Sequence, residues 1–326
     1  MTINFQACGI IGVLMGGYSS ERDISLKSGT AVYNSLKIQG FNVVAVDITS
    51  SNSEEIRKQL IESGIDLGFI ALHGTLGEDG KIQSILEEIG LPYTGSGIEA
   101  SRTALNKITA HSVFIKNNIL VPPYRVINSS NKFDPDEIIS GLKGFPLVIK
   151  PAAEGSSIGV SIVKSYSEFQ KGLEEAFKYS QFILVEKFIK GRELTVGILG
   201  ETALPLVEII PSREFFDFIA KYQKGLTEYV VPAIVPEDVS LRLKNLALEA
   251  HRALGCADIS RVDIILAEDN RGYVLEVNTI PGFTATSLLP KAAQALNINF
   301  DQLCSALIKM AYGKKKTYNQ NISLGN

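Results

Sequence analysis

RVDIILAEDNRGYVLEVNTIPGFTATSLLP, residues 261–290, decides how this chain is read. Two β-branched-rich runs, Val262 to Leu266 and Tyr273 to Val277, flank the polar, Gly-ended AEDNRG and predict an antiparallel hairpin. If Leu266 and Tyr273 close the loop, Asp263 falls opposite Glu276 and Arg261 opposite Asn278. Directly opposed residues share a face, as do residues two apart on one strand. One face of otherwise apolar strands is therefore expected to carry Arg261, Asp263, Glu276 and Asn278. Two carboxylates and an amide, completed by water and phosphate oxygens, suit Mg²⁺. The alternative is a solvated polar face with surface ion pairs.

Outward from the hairpin, composition narrows the classes. The 326 residues allow two or three domains, and a net charge of -3 does not point to nucleic acid or an anionic membrane. Cys8, Cys256 and Cys304 are odd in number and far apart, which predicts reduced thiols in a cytoplasmic protein rather than a disulfide framework or zinc site. Three histidines are too few for a polyhistidine metal centre. No run approaches the ~18 apolar residues of a membrane helix, and MTINFQACGIIGVLMGG reads as a buried strand, not a leader.

The first hundred residues alternate strand-like CGIIGVL (8–14), FNVVAVDI (41–48) and DLGFIAL (66–72) with helical patterns, the rhythm of a parallel sheet. Ligands in such sheets gather at the carboxyl ends of the strands, where Glu21 and His73 fall. Ser20 and Asp23 are placed to form a capping box at the first helix. The glycines of GIIGVLMGG have the wrong spacing for a dinucleotide fingerprint. HGTLGEDG (73–80) reads as a binding turn, or as a strand end that His73 merely caps. A helix is expected over 101–118, with Lys107 in its middle.

KPAAEGSSIGV (150–160) sets a lysine at a strand end before small residues. Glycines let successive N–H groups converge on one anion, serines add hydroxyls, and Lys150 adds a point charge. A flexible hairpin tip is the alternative. The loop is not a Walker A motif, since a strand rather than a helix follows. QFILVEKFIKGRELTVGILG (181–200) is expected as a strand whose Glu186, Lys187, Phe188 and Ile189 could line an adenine edge. Glu193 would lie within reach of a ribose. The long stretch Pro211–Pro232, rich in aromatics and holding Lys221 and Tyr222, suggests a lid. The polar end GKKKTYNQNISLGN is expected to be disordered.

These separated motifs, with GGYSSERDISLKSG (16–29), EKFIKGREL (186–194), KYQKGLTEYVVPA (221–233) and EVNTIPGFTATSLLP (276–290), follow one order. In that order the chain resembles the D-alanine–D-alanine ligase family of the ATP-grasp superfamily, to about residue 312. The resemblance implies an α/β fold, α+β in its ATP-binding part: an ATP-grasp fold behind an N-terminal parallel-sheet pre-ATP-grasp domain. Its divisions would be 1–100 for the first substrate, 101–185 for the central ATP-grasp part, 186–312 for the C-terminal metal-binding part, and a tail over 313–326. It also implies ligation of two D-alanines through an acyl phosphate, for peptidoglycan precursors, by a homodimer that neither binds nucleic acid nor enters a membrane.

Carried over residue by residue, Glu21 would bind the first D-alanine's ammonium with His73 beside it. Lys107, Lys150, Ser156 and Ser157 would hold ATP phosphates, and 186–189 with Glu193 the nucleoside. Asp263, Glu276 and Asn278 would hold two Mg²⁺ or Mn²⁺. Arg261 and the backbone of Gly282 would stabilise the oxyanion, while Ser287 and the backbone of Leu288 would fix the second carboxylate. Lys221 would reach the γ-phosphate, and Tyr222 would bond Ser156 and Glu21 to close the site and favour an amine over D-lactate. Two departures are Phe188, where some relatives carry tryptophan, and Ala152-Ala153, where a longer polar side chain is frequent. A ligase using D-lactate or D-serine, or a nucleotide-binding regulator without turnover, would be the competing readings.

Overall fold

The computed structural model describes residues 9–212 and 225–323, with side chains to residue 314. Lys221 and Tyr222, with most of the expected lid, lie outside the described residues. Its described flanks, β10 (Val207–Pro211) and β11 (Thr227–Val230), pair antiparallel.

Three sheets organise the described chain. The first is parallel, with β1 (Ile11–Gly16) between β2 (Val43–Ile48) and β3 (Leu67–Ile70). β1 and β3, buried on both faces, read as continuous apolar runs, while β2 leaves Ala45 and Asp47 exposed. Helix α1 (Arg22–Ile38) packs one face together with the closing helix α10 (Phe300–Ser323), through Val32, Leu36, Leu303 and Leu307. Helices α2 (Ser53–Glu62) and α3 (Lys81–Glu88) cover the other, through Leu60, Ile82 and Leu86. The capping box expected at α1 does not form: Glu21 is the N-cap residue and its side chain makes no cap bond. That carboxylate is turned away to meet Ser156 instead.

The second sheet is antiparallel, in the order β4 (Tyr124–Asn128), β7 (Phe182–Lys187), β5 (Leu147–Pro151), β6 (Ser161–Val163). Helices α6 (Pro135–Gly141) and α7 (Tyr166–Ala176) bury its back through Ile138, Phe169 and Leu173. The third sheet orders β11, β10, β8 (Gly191–Leu199), β12 (Ile259–Ala267) and β13 (Gly272–Asn278), with β9 (Thr202–Ala203) beside β8. Helix α8 (Glu237–Ala253) packs on it through Val239, Leu243 and Ala247.

Three further sequence expectations are corrected. Residues 181–200 form two strands, β7 and β8, in different sheets, with Phe188–Lys190 as the joint. Gly191 starts β8 where a Cβ would stand 2.3 Å from the Leu266 carbonyl oxygen, so only glycine allows that approach to β12. The helix of 101–118 is also two, α4 (Ile98–Leu105) and α5 (Lys107–Lys116), broken at Asn106. The Asn106 carboxamide accepts from Ile108 and Thr109 N–H at 3.0 and 3.3 Å and caps α5, which moves Lys107 from mid-helix to a first turn. Finally, α10 continues through Ser323, where a disordered tail was expected from residue 313. No proline interrupts that stretch, and Lys314 Nζ is tied to Asp258 at 2.6 Å. Two short elements remain, α9 (Leu288–Gln294) behind the 276–287 segment and the turn of HGTLGEDG before α3.

Candidate active site

The hairpin forms with the expected face. Arg261 pairs with Asn278 and Asp263 with Glu276, but the loop closes one residue early, with Leu266 opposite Gly272. A bulge at Leu275 between the Asp263 and Ile264 pairs restores the expected register. Without it, Glu276 and Asn278 would slip to the opposite face. Strand β8, on the other side of β12, adds Thr195 opposite Asp263 and Glu193 opposite Ile265.

Asp263 is 7% exposed and held from every side. Arg261 grips it with Nε to Oδ1 at 2.9 Å and a terminal nitrogen to Oδ2 at 2.7 Å. The Thr195 hydroxyl donates to Oδ1 at 2.6 Å, and the Asn278 amide to Oδ2 at 3.2 Å. The neighbouring Glu276 faces Lys107 Nζ at 3.3 Å. The donor set is two carboxylates and an amide oxygen, with cations as present partners. Hard divalent cations take such oxygens and fill remaining positions with water or phosphate. Among the described residues no group of three or more His, Cys, Asp or Glu is placed to hold a metal ion, so phosphate oxygens would have to complete the shell.

Glu21 is the meeting point of three loops. The Ser156 hydroxyl donates to its Oε1. Gly74 lies so close that a Cβ there would stand 2.5 Å from Oε2, and Gly155 would place one at 3.0 Å. Behind Glu21, His73 is fixed across the sheet ends. Its Nδ1 lies 3.1 Å from the Ile280 carbonyl, and its Nε2 lies 3.0 Å from the Ser28 hydroxyl. A carbonyl can only accept, so Nδ1 carries the proton and Nε2 accepts from Ser28. Burial holds the imidazole below its ordinary pKa, keeping it neutral. Glu78 is pushed up to about 8, by burial first and by Glu21 second, although Gly74 N–H donates to it at 2.8 Å. Sequence reading passed over Glu78; its place in HGTLGEDG was the available signal.

The 152–160 loop hangs from α5. Lys107 N–H donates to the Ala152 carbonyl at 2.8 Å, and Lys107 Nζ to the Glu154 carbonyl at 2.7 Å. Of the two alanines that depart from the family pattern, Ala152 is buried and Ala153 exposed. Ser156 and Ser157 hold φ of 51° and 59°, a left-handed pair that costs about 1–3 kcal/mol per residue and clusters at functional sites. A cleft between the second and third sheets is lined by Lys107, Lys150, Ser157, Phe188, Ile189 and Glu193, with Asp263 and Glu276 at one end. Lys150 Nζ pairs with the buried Glu186 at 2.6 Å, whose Oε1 has no hydrogen-bond partner among the described residues. The Lys187 side chain turns from the cleft to the carbonyls of Gly144 and Phe145, at 2.9 and 3.3 Å.

A second cavity, about 560 Å³, adjoins the first and is lined by Glu21, His73, Arg261, Gly282, Ser287 and Leu288. All six were named from sequence, and they come from the parallel sheet, β12 and the 280–288 segment. The Ser287 hydroxyl lies 3.1 Å from Thr284 N–H and 2.9 Å from the Thr284 hydroxyl, so it is oriented from within its own turn.

Comparison with known proteins points to one family. Residues 113–309 match the family model described as D-ala D-ala ligase C-terminus, and 49–96 match D-ala D-ala ligase N-terminus. A D-alanine--D-alanine ligase of Geotalea uraniireducens is 46% identical over 95% of this chain and 98% of its own length. The crystal structure of a D-alanine--D-alanine ligase from Bacillus anthracis superposes with a TM-score of 0.85 at 35% identity, covering 95% of this chain and 99% of the other. A crystal structure described as D-alanine--D-alanine ligase from Bacillus anthracis complexed with ATP gives 0.82 at 32% identity, covering 95% and 99%. The three-sheet architecture is therefore an ATP-grasp fold behind a parallel-sheet domain, and the chain belongs to the D-alanine–D-alanine ligase family.

Proposed function

We propose that this protein joins two D-alanine molecules to D-alanyl-D-alanine at the expense of ATP, for peptidoglycan precursor synthesis. The observation that carries the reading is the convergence on one cavity of Glu21, His73, Arg261, Gly282 and Ser287, next to a cleft lined by Lys107, Lys150 and Ser157. An amino acid needs a carboxylate for its ammonium and donors for its developing oxyanion; a nucleotide needs cations and loop amides for its phosphates.

In the proposed sequence the first D-alanine's carboxylate attacks the γ-phosphate, giving an acyl phosphate and ADP. The second D-alanine's amine then attacks that carbonyl and inorganic phosphate leaves. Glu21 holds the first ammonium, and neutral His73 adds no repelling charge. Arg261 and the Gly282 N–H face the carbonyl oxygen as it becomes an oxyanion, where positioned donors matter most. Lys107 and Lys150 now neutralise Glu276 and Glu186, and would turn to phosphate oxygens. Glu186 Oε1, 3.8 Å from His111 Nε2 and without a hydrogen bond among the described residues, is a buried acceptor that a purine amino group would satisfy. Phe188 and Ile189 supply apolar cover for the ring. Asp263, Glu276 and Asn278 would hold two Mg²⁺ or Mn²⁺, which supply charge neutralisation of the transferring phosphoryl group.

The division at residues 100 and 185, a homodimeric state and a cytoplasmic location belong to this proposal. Among the described residues no helix is long and apolar enough to cross a membrane. The test is mass spectrometry of products from ATP, Mg²⁺ and D-alanine, with and without D-lactate. D-alanyl-D-alanine with stoichiometric ADP and phosphate is expected. ATP binding without any turnover would support the regulator instead.

A further inference from the structure

The larger cavity receives two carboxylates of the protein, Glu21 and Glu276, beside the carboxyl of Glu78, and on the proposed function it must also accept a second substrate bearing its own carboxylate. That anion needs a cation which the rest of the site has not committed. Arg261 is engaged bidentately by Asp263 at 2.9 and 2.7 Å. Two lysines also line the cavity, Lys27 and Lys291. Lys27 enters from α1 beside Ser28, the residue that bonds His73 at the first-substrate end. Lys291 stands on α9 four residues after Ser287, so the two side chains emerge on one face of the same turn. Its ammonium sits 4.4 Å from the centroid of the Tyr229 ring, and among the described residues it makes no ion pair. An aromatic face holds an ammonium in place while leaving its N–H donors for an anion.

We propose that Lys291, steadied over Tyr229, recognises the carboxylate of the second, amine-donating amino acid together with the Ser287 hydroxyl, and so makes an α-carboxylate a requirement for the acceptor. This rests on the ligase reading and adds a specificity-determining residue to it. An acceptor in which the carboxylate is replaced by a carboxamide, such as D-alaninamide, loses the charge that Lys291 meets.

The experiment is steady-state kinetics of the full chain with D-alanine as first substrate and either D-alanine or D-alaninamide as acceptor. In the wild type D-alanine is the better acceptor. Lys291→Met should raise the acceptor KM for D-alanine by about ten-fold or more, the worth of a charge-assisted contact, with kcat changed only a few-fold. The preference for D-alanine over D-alaninamide should shrink in proportion. Lys291→Arg should restore most of both, and Tyr229→Leu should move the acceptor KM in the direction of Lys291→Met. Thermal melts confirm that each variant is folded, with Lys291→Gln available if the methionine is not. An unchanged acceptor KM and preference in Lys291→Met overturns the inference, as does an acceptor defect found in Lys27→Met but not in Lys291→Met. If the wild type forms no dipeptide at all, the ligase reading fails instead, and the two failures are distinct.

Discussion

The Ser156 hydroxyl donates a hydrogen bond to Glu21 across 135 residues of chain. It joins the N-cap residue of α1 to the tip of the 152–160 loop, so the proposed amino-acid subsite and the proposed nucleotide cleft share one contact. Ser156→Gly removes the hydroxyl while easing its φ of 51°. Ser156→Ala removes it and keeps the strain. Losing a donor to a buried carboxylate costs about 1–3 kcal/mol, so both variants should lose roughly ten- to a hundred-fold in kcat/KM. If only the alanine variant is impaired, backbone conformation rather than the Glu21 contact is what matters.

Asp263→Asn tests the polar face of the hairpin. It keeps the shape but leaves Arg261, paired at 2.7 Å, opposite a neutral amide. Phosphate release at saturating Mg²⁺ should fall at least about a hundred-fold, since the charge it contributes to the phosphoryl clamp is worth several kcal/mol. Near-normal release would show that this carboxylate is not part of the clamp.

Glu78 gives the protein a pH dependence of stability with a definite sign. Its carboxyl rises from an ordinary 4.5 to about 8 on folding, so the folded state binds the proton more tightly than the unfolded one. Stability contributed by the neutral form is fully present below about pH 4.5 and is lost as pH rises toward about 8. Glu78→Gln is neutral throughout. The melting temperature of the wild type relative to this variant should therefore decline from pH 5 to pH 8 and then level off. A difference that does not vary with pH would mean Glu78 stays ionised in the fold.

Asn106→Ala removes the acceptor for Ile108 and Thr109 N–H and should cost about 0.5–2 kcal/mol of stability. Because that cap sets the first turn carrying Lys107, the KM for ATP should rise as well. Asn106→Asp, which also caps, should recover both quantities. Loss of stability with an unaltered KM for ATP would separate Lys107 from the nucleotide.

By itself the sequence determined the elements whose signal is local. The alternation of 261–278 gave the polar face, because the two-residue period of a strand assigns each side chain to a side whatever it packs against. The apolar runs of the first hundred residues gave a parallel sheet, and motif order gave the family. Tertiary structure decided what depends on remote partners. The bulge at Leu275 and the break at Phe188–Lys190 follow from which neighbours satisfy each backbone group, and 181–200 looks like one strand until β8 pairs with β12. The same holds for single side chains. Asn106 ends one helix and caps the next; Glu21 leaves its cap for Ser156; Glu78 becomes a poor acid only when the fold buries it beside Glu21. Lys291 is an ordinary helical lysine until β11 sets the Tyr229 ring beneath it. Burial and charge are sums over atoms brought together from the whole chain, and no window of sequence contains those sums.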